Sequence, residues 1–133
     1  MAKPVPVPDD TSAFYWQAAR DGRLVIQRCD SCRTWYYPPT IGCPGCRSEA
    51  LVPTDVSGRG TVYTFTIVRQ AFDPAFADDV PYVVALVELQ EAPGLRMLTT
   101  ITGIEPQEVR VGMQVAVAFE GRDGAVIPVF EPC

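Results

Sequence analysis

Four cysteines constrain this chain more than any other feature. Cys29 to Cys46 reads CDSCRTWYYPPTIGCPGC, a C-x2-C-x10-C-x2-C array. Two thiolates three residues apart on a tight turn grip one face of a metal ion, and a second such pair closes a tetrahedron. Zinc takes four ligands in that shape, and thiolate sulfur is a favoured donor. Iron in a four-cysteine centre has the same geometry, so an electron-transfer reading stays open at this point. Asp30-Ser31 and Pro44-Gly45 suit tight turns, and Gly45 is expected to take the positive φ of a knuckle. Four sulfurs leave no coordination position for water, so one structural zinc held by Cys29, Cys32, Cys43 and Cys46 is the reading. Two disulfides are the rival. Adjacent C-x2-C pairs among arginines make a poor disulfide framework, and nothing in the sequence suggests secretion.

What is missing narrows the chemistry. The 133 residues include no histidine, which removes Ser-His-Asp and Cys-His nucleophile systems and the commonest general base. No G-x-S-x-G, P-loop or dinucleotide fingerprint is present. A net charge of −5 disfavours a general nucleic-acid binder. Between residues 20 and 47 the balance reverses, with Arg20, Arg23, Arg28, Arg33 and Arg47 against Asp21 and Asp30. These arginines compensate an anionic zinc-thiolate centre; a small anion-binding patch is the alternative. The longest apolar run, Tyr82 to Val87, is too short to cross a membrane. The N-terminal MAKPVPVPDD has no hydrophobic signal core, so a cytoplasmic location is the expectation. Cys133 reads as a free surface thiol.

The 13 prolines argue against long helices, and the chain reads as mainly β. KPVPVP at residues 3 to 8 is an extended arm. Asp10 to Asp21 is the best helix candidate, capped by Asp10, Thr11 or Ser12 and ended by Gly22. Its aromatics Phe14, Tyr15 and Trp16 are too many for one side of a short helix. They either cover a junction between two lobes or dock on another protein. Arg23 to Arg28, Trp35 to Tyr37 and Leu51 to Val56 read as the small antiparallel strands of a zinc ribbon. A second lobe follows, with strands at residues 61–69, 82–89, 95–102, 114–120 and 125–130. Pro128 implies an edge or bulge position in the last. A short helix is expected from Pro106 to Gly112. A helix between strands three and four of a five-stranded Greek-key barrel marks the OB-fold; an SH3-like barrel fits less well. The domains expected are 1–56, arm, helix and ribbon, and 57–133, the barrel. In the loop 72–81, Phe72 and Phe76 form either a binding surface or a lid over one barrel end.

The segments FYWQAARDGRL, VIQRCDSCRTWYYPP, CPGC, VSGRGTVYTFTIV, PYVVALVEL, GIEPQEVRVGM and PVFEP together resemble a known family. It is the acyl-CoA-associated family once catalogued as domain of unknown function 35, and the resemblance runs from about Phe14 to Pro132. It implies a rubredoxin-like zinc ribbon followed by an OB-fold, with a structural zinc on Cys29, Cys32, Cys43 and Cys46. It also implies a noncatalytic accessory subunit of a thiolase-superfamily enzyme. Such enzymes include lipid-transfer-type retro-aldolases acting on steroid side-chain acyl-CoAs, and acyltransferase assemblies. Members of the family can help shape the partner's acyl-CoA channel. The aromatics Phe14, Tyr15, Trp16, Phe72 and Phe76 are the expected partner interface. The alternative from the residues alone is a single-stranded nucleic-acid module, with Tyr63 and Phe65 as stacking rings.

Replacing Cys29 or Cys43 with Ser should unfold the ribbon and abolish metal retention. Structural zinc supplies roughly 10–16 kcal/mol in small zinc peptides, more than a lobe of this size can lose. Metal analysis after gel filtration reads the outcome; a Cys43→Ser protein with stoichiometric zinc would refute the ligand assignment.

Overall fold

The computed structural model describes residues 3–133, so only residues 1 and 2 of the expected N-terminal domain 1–56 lie outside the description. Helix α1 spans Ala13–Arg20, shorter than the expected Asp10–Asp21. The chain before it is held by a reciprocal pair: the Ser12 amide donates to Asp9 Oδ1 at 2.8 Å, and the Asp9 amide donates to Ser12 Oγ at 3.2 Å. That turn consumes residues 10–12. At the other end Gly22, at φ +76, lets the Arg23 amide reach back to the Ala18 carbonyl at 2.9 Å.

Two antiparallel sheets follow. In the first, β1 (Val25–Cys29) lies between β2 (Trp35–Tyr36) and β3 (Leu51–Asp55). The second is built from β4 (Arg59–Val68), β5 (Tyr82–Leu89), β6 (Arg96–Thr99), β7 (Gln114–Arg122) and β8 (Ala125–Pro132), in the order β6-β5-β4-β7-β8. Strand β5 alternates half-buried and buried side chains along its whole length, the pattern of a strand with one face in the core. Pro128 sits on β8 at the sheet edge, as its missing N–H requires.

The sheet curls until its two edges meet. A parallel bridge joins Ile101 to Phe130. The Thr102 amide donates to the Phe130 carbonyl at 2.8 Å, and the Phe130 amide donates to the Thr100 carbonyl at 3.1 Å. This closure shortens the third barrel strand, expected at 95–102: Thr100 and Ile101 leave the β5 ladder to reach β8. The helix expected at Pro106–Gly112 is only a single 3-10 turn at Pro106–Glu108. Val109 is already extended at φ −68 and ψ 138, because the Gly112 amide must bond the Val62 carbonyl of β4 at 2.8 Å. Val109 is buried, as expected.

One continuous core ties the layers together. Tyr15 of α1 and Leu24 and Ile26 beside and on β1 join Val62, Val83, Val87, Met97, Val115 and Phe130 of the barrel in a single buried cluster. The ribbon is therefore rooted in the barrel through β1.

Gly60, at the β4–β5 contact, has no room for a side chain. A Cβ there would lie 2.6 Å from the Glu88 carbonyl oxygen and 2.7 Å from Val87 Cγ1. Gly60→Ala is expected to destabilise the protein by about 2 kcal/mol through forced backbone displacement. Urea unfolding checks it, with Gly121→Ala, which meets nothing within 4 Å, as the comparison.

Candidate metal centre

The two knuckles are built alike. In the first, the Cys29 amide donates to the Thr34 carbonyl and the Arg33 amide to the Cys29 carbonyl, both at 2.8 Å. In the second, the Cys43 amide donates to the Ser48 carbonyl and the Arg47 amide to the Cys43 carbonyl, again at 2.8 Å. Each leading sulfur also accepts an amide: Cys32 N–H to Cys29 Sγ at 3.5 Å and Cys46 N–H to Cys43 Sγ at 3.4 Å. The positive φ falls on Arg33 (66°) and Arg47 (64°), one residue beyond each pair. This corrects the expectation for Gly45, which does not have it. There the glycine serves close approach: a Cβ at Gly45 would sit 2.8 Å from the Tyr36 hydroxyl oxygen.

The four sulfurs converge. All lie within 4.8 Å of one another, and Cys29–Cys46 and Cys32–Cys43 are 3.5 Å apart. A tetrahedron with metal–sulfur bonds of about 2.3 Å has edges of about 3.8 Å, so the cage fits one zinc. None of the cysteines is in a disulfide. Cys29 and Cys43 are buried, whereas Cys32 and Cys46 face solvent. With zinc bound, four thiolates complete its shell, and the metal serves as a folding clamp.

Gln27 positions the second knuckle. It is the buried polar side chain of the described core. Its Nε2 donates to the Thr40 carbonyl at 3.0 Å, and its Oε1 accepts from the Thr40 amide at 2.8 Å. The side-chain amide thus acts like a strand partner for the segment leading into Cys43. Gln27 and Tyr36 escaped the sequence reading, because a polar residue in a short strand has no pattern to mark it. Of the arginines nearby, Arg23 pairs with Asp55 at 2.7 Å and Arg28 lies 5.2 Å over the Trp35 ring.

Three of the thiols are shifted in acidity, in different directions. Burial pushes the Cys43 thiol up, but hydrogen bonds from Tyr36 and the Cys46 amide outweigh it and hold it at about 6. The Ser48 amide pulls Cys46 down, yet Cys29, burial and the other thiols outweigh it and carry Cys46 to about 12. Thr34 lowers Cys32.

The aromatics divide. Tyr15 is only 4% exposed and belongs to the core, so it is corrected from the expected interface: its ring stands edge-on to Trp16 at 4.9 Å and tilts against Tyr37 at 5.8 Å. Phe14 and Trp16 are half-buried against that core. Phe72 is 87% exposed and covers nothing. Phe76 is half-buried, 6.0 Å from the Tyr82 ring. It lines a cleft of about 310 Å3 with Lys3, Tyr82, Ile101 and Arg122. Tyr63 and Phe65 do not form a stacking platform. Phe65 packs against the core, and the Arg96 guanidinium covers the Tyr63 ring at 3.7 Å. Among the described residues, no helix is long and apolar enough to cross a membrane.

A four-cysteine ribbon rooted in a five-stranded curled sheet with OB-fold order defines a zinc-ribbon and OB-fold protein. Two family models match it: "ChsH2, rubredoxin-like zinc ribbon domain" over residues 16–52, and "ChsH2, C-terminal OB-fold domain" over residues 53–120. The chain belongs to this ChsH2, or DUF35, family. It is 40% identical over 131 residues to a probable enoyl-CoA hydratase alpha subunit of Thermomonospora curvata, covering 98% of this chain and 40% of that protein. It is 33% identical over 132 residues to a 3-oxo-4,17-pregnadiene-20-carboxyl-CoA hydratase alpha subunit of Mycobacterium tuberculosis, covering 87% of this chain and 40% of that one. The chain thus spans about two fifths of these curated relatives. A solved structure described as an Ltp2-ChsH2(DUF35) aldolase contains a chain 39% identical to it, with a TM-score of 0.85, covering 96% of this chain and 98% of that one.

Zinc affinity should fall as pH falls. Every ligand must be a thiolate, so binding displaces the Cys46 proton throughout the range from pH 6 to 8. At least one displaced proton makes the apparent affinity at least about 100-fold weaker at pH 6 than at pH 8. Below about 6 the slope steepens, because Cys43 is then protonated as well. Competition with a chelator of known pH dependence measures this; a flat profile would contradict the acidities assigned.

Proposed function

We propose that this chain is an accessory subunit, not catalytic by itself, that binds and stabilises a thiolase-superfamily enzyme acting on acyl-CoA. The reaction assigned to the complex is retro-aldol cleavage of a steroid side-chain acyl-CoA, and this chain helps shape the acyl-CoA channel. The observation that carries the reading is the near full-length likeness to a chain of an Ltp2-ChsH2(DUF35) aldolase. The curated relatives support the same chemical neighbourhood, since both are named as subunits of hydratases for CoA thioesters.

Physical considerations agree. A closed four-sulfur centre offers a substrate no coordination position, and a chain without histidine lacks the usual general base. Phe72 and the half-buried Phe14, Trp16 and Phe76 are the surface aromatics a partner would cover. The expected division at residues 56 and 57 then assigns the metal-clamped lobe to positioning and the barrel to channel lining.

Co-expression with a thiolase-like lipid-transfer-type enzyme of the same host should yield a complex that survives gel filtration. Phe72→Ala should weaken that complex about tenfold, as loss of an interface anchor does, while leaving thermal stability unchanged. Failure to co-purify with any such enzyme, or with acyl-CoA enzymes generally, would overturn the reading.

A further inference from the structure

We propose that the Tyr36 hydroxyl, seated against Gly45, holds Cys43 in its ligand geometry and sets how tightly the centre retains zinc. Tyr36 Oη lies 3.0 Å from Cys43 Sγ. The Gly45 amide donates to the same oxygen at 3.2 Å. That contact uses a lone pair of the oxygen and leaves its single proton for the sulfur. A zinc-bound thiolate has no proton to offer, so Tyr36 must be the donor. The Cys46 amide reaches the same sulfur at 3.4 Å, so Cys43 receives two hydrogen bonds.

Gly45 makes room for this contact. Its φ is not positive, so backbone freedom does not explain the residue. The hydroxyl oxygen does: it fills the space where a Cβ would begin, 2.8 Å away. Any larger residue would push the ring off the sulfur. The first knuckle has a parallel feature, with Thr34 Oγ1 3.3 Å from Cys32 Sγ. Thr34 and Tyr36 are two residues apart, so an extended chain turns both hydroxyls to one face. One short segment thereby serves a cysteine of each knuckle.

The energetic reason is charge. Four thiolates around a zinc dication carry a net −2, and each hydrogen bond draws charge off a sulfur and stabilises its ligating form. Loss of such an outer partner typically costs about 10–100-fold in metal affinity. Tyr36 is a positioning residue, acting through Cys43.

The test uses the full zinc-loaded chain as wild type, Tyr36→Phe, Gly45→Ala and the double variant. Chelator competition gives affinity, the release rate follows with a chromophoric chelator, and cobalt substitution reports the thiolate-to-metal charge-transfer band. Tyr36→Phe should weaken retention at least about tenfold and shift the cobalt band. Gly45→Ala should do the same. In the Tyr36→Phe background, with no hydroxyl left to displace, adding the Gly45 change should cost little more. Tyr36→Phe retention equal to wild type, or full multiplication of the two effects, would overturn the proposal. Should Gly45→Ala fail to fold, Tyr36→Phe decides alone, with far-UV circular dichroism of the zinc form confirming that the sheets persist.

Discussion

Everything in the N-terminal lobe depends on two turns meeting at one point. Four sulfurs within 4.8 Å of each other make a cage sized for one metal ion. The lobe itself has little with which to force that meeting: β2 is two residues long, and β3 is largely exposed. The metal therefore supplies what burial cannot. The effect does not stop at the ribbon. Cys29 ends β1, while Ile26 on the same strand is buried in the barrel's core. A load on the metal is carried along one strand into the larger lobe.

Polar contacts refine this arrangement. Gln27 copies a backbone ladder with its side chain and so fixes the segment between the knuckles. Tyr36 reaches the second knuckle from the hairpin that follows the first. Both contacts span the loop between the cysteine pairs, so each lowers the freedom of the chain that the ion must order. The centre is a folding device with its outer hydrogen bonds already arranged.

Much of the fold was legible in advance. The cysteine spacing announced the centre, and β5 falls where the apolar, valine-rich run Tyr82–Leu89 was expected to form a strand, although its alternation of half-buried and buried side chains is visible only in the fold. The departures share a cause in contacts distant along the chain. The Pro106 helix shrank because Gly112 is claimed by β4, and the third barrel strand shortened because Ile101 is claimed by Phe130. At the site, the four ligands were visible and their supports were not. Gly45 looked like a turn residue, and only the position of a tyrosine nine residues earlier shows what it does. Tyr15 illustrates the converse: three adjacent aromatics suited either a lobe junction or a docking surface, and helix geometry sends one of them into the shared core.

A metal-clamped ribbon and its barrel, on this view, complete another protein's acyl-CoA site. The most direct measurement is carbon–carbon cleavage of a steroid side-chain acyl-CoA by a purified thiolase-like enzyme, titrated with the zinc-loaded chain. Cleavage should rise with added chain and saturate at a fixed stoichiometry, and the chain alone should cleave nothing. Full-rate cleavage by the enzyme alone would contradict this, as would turnover by this chain unaided.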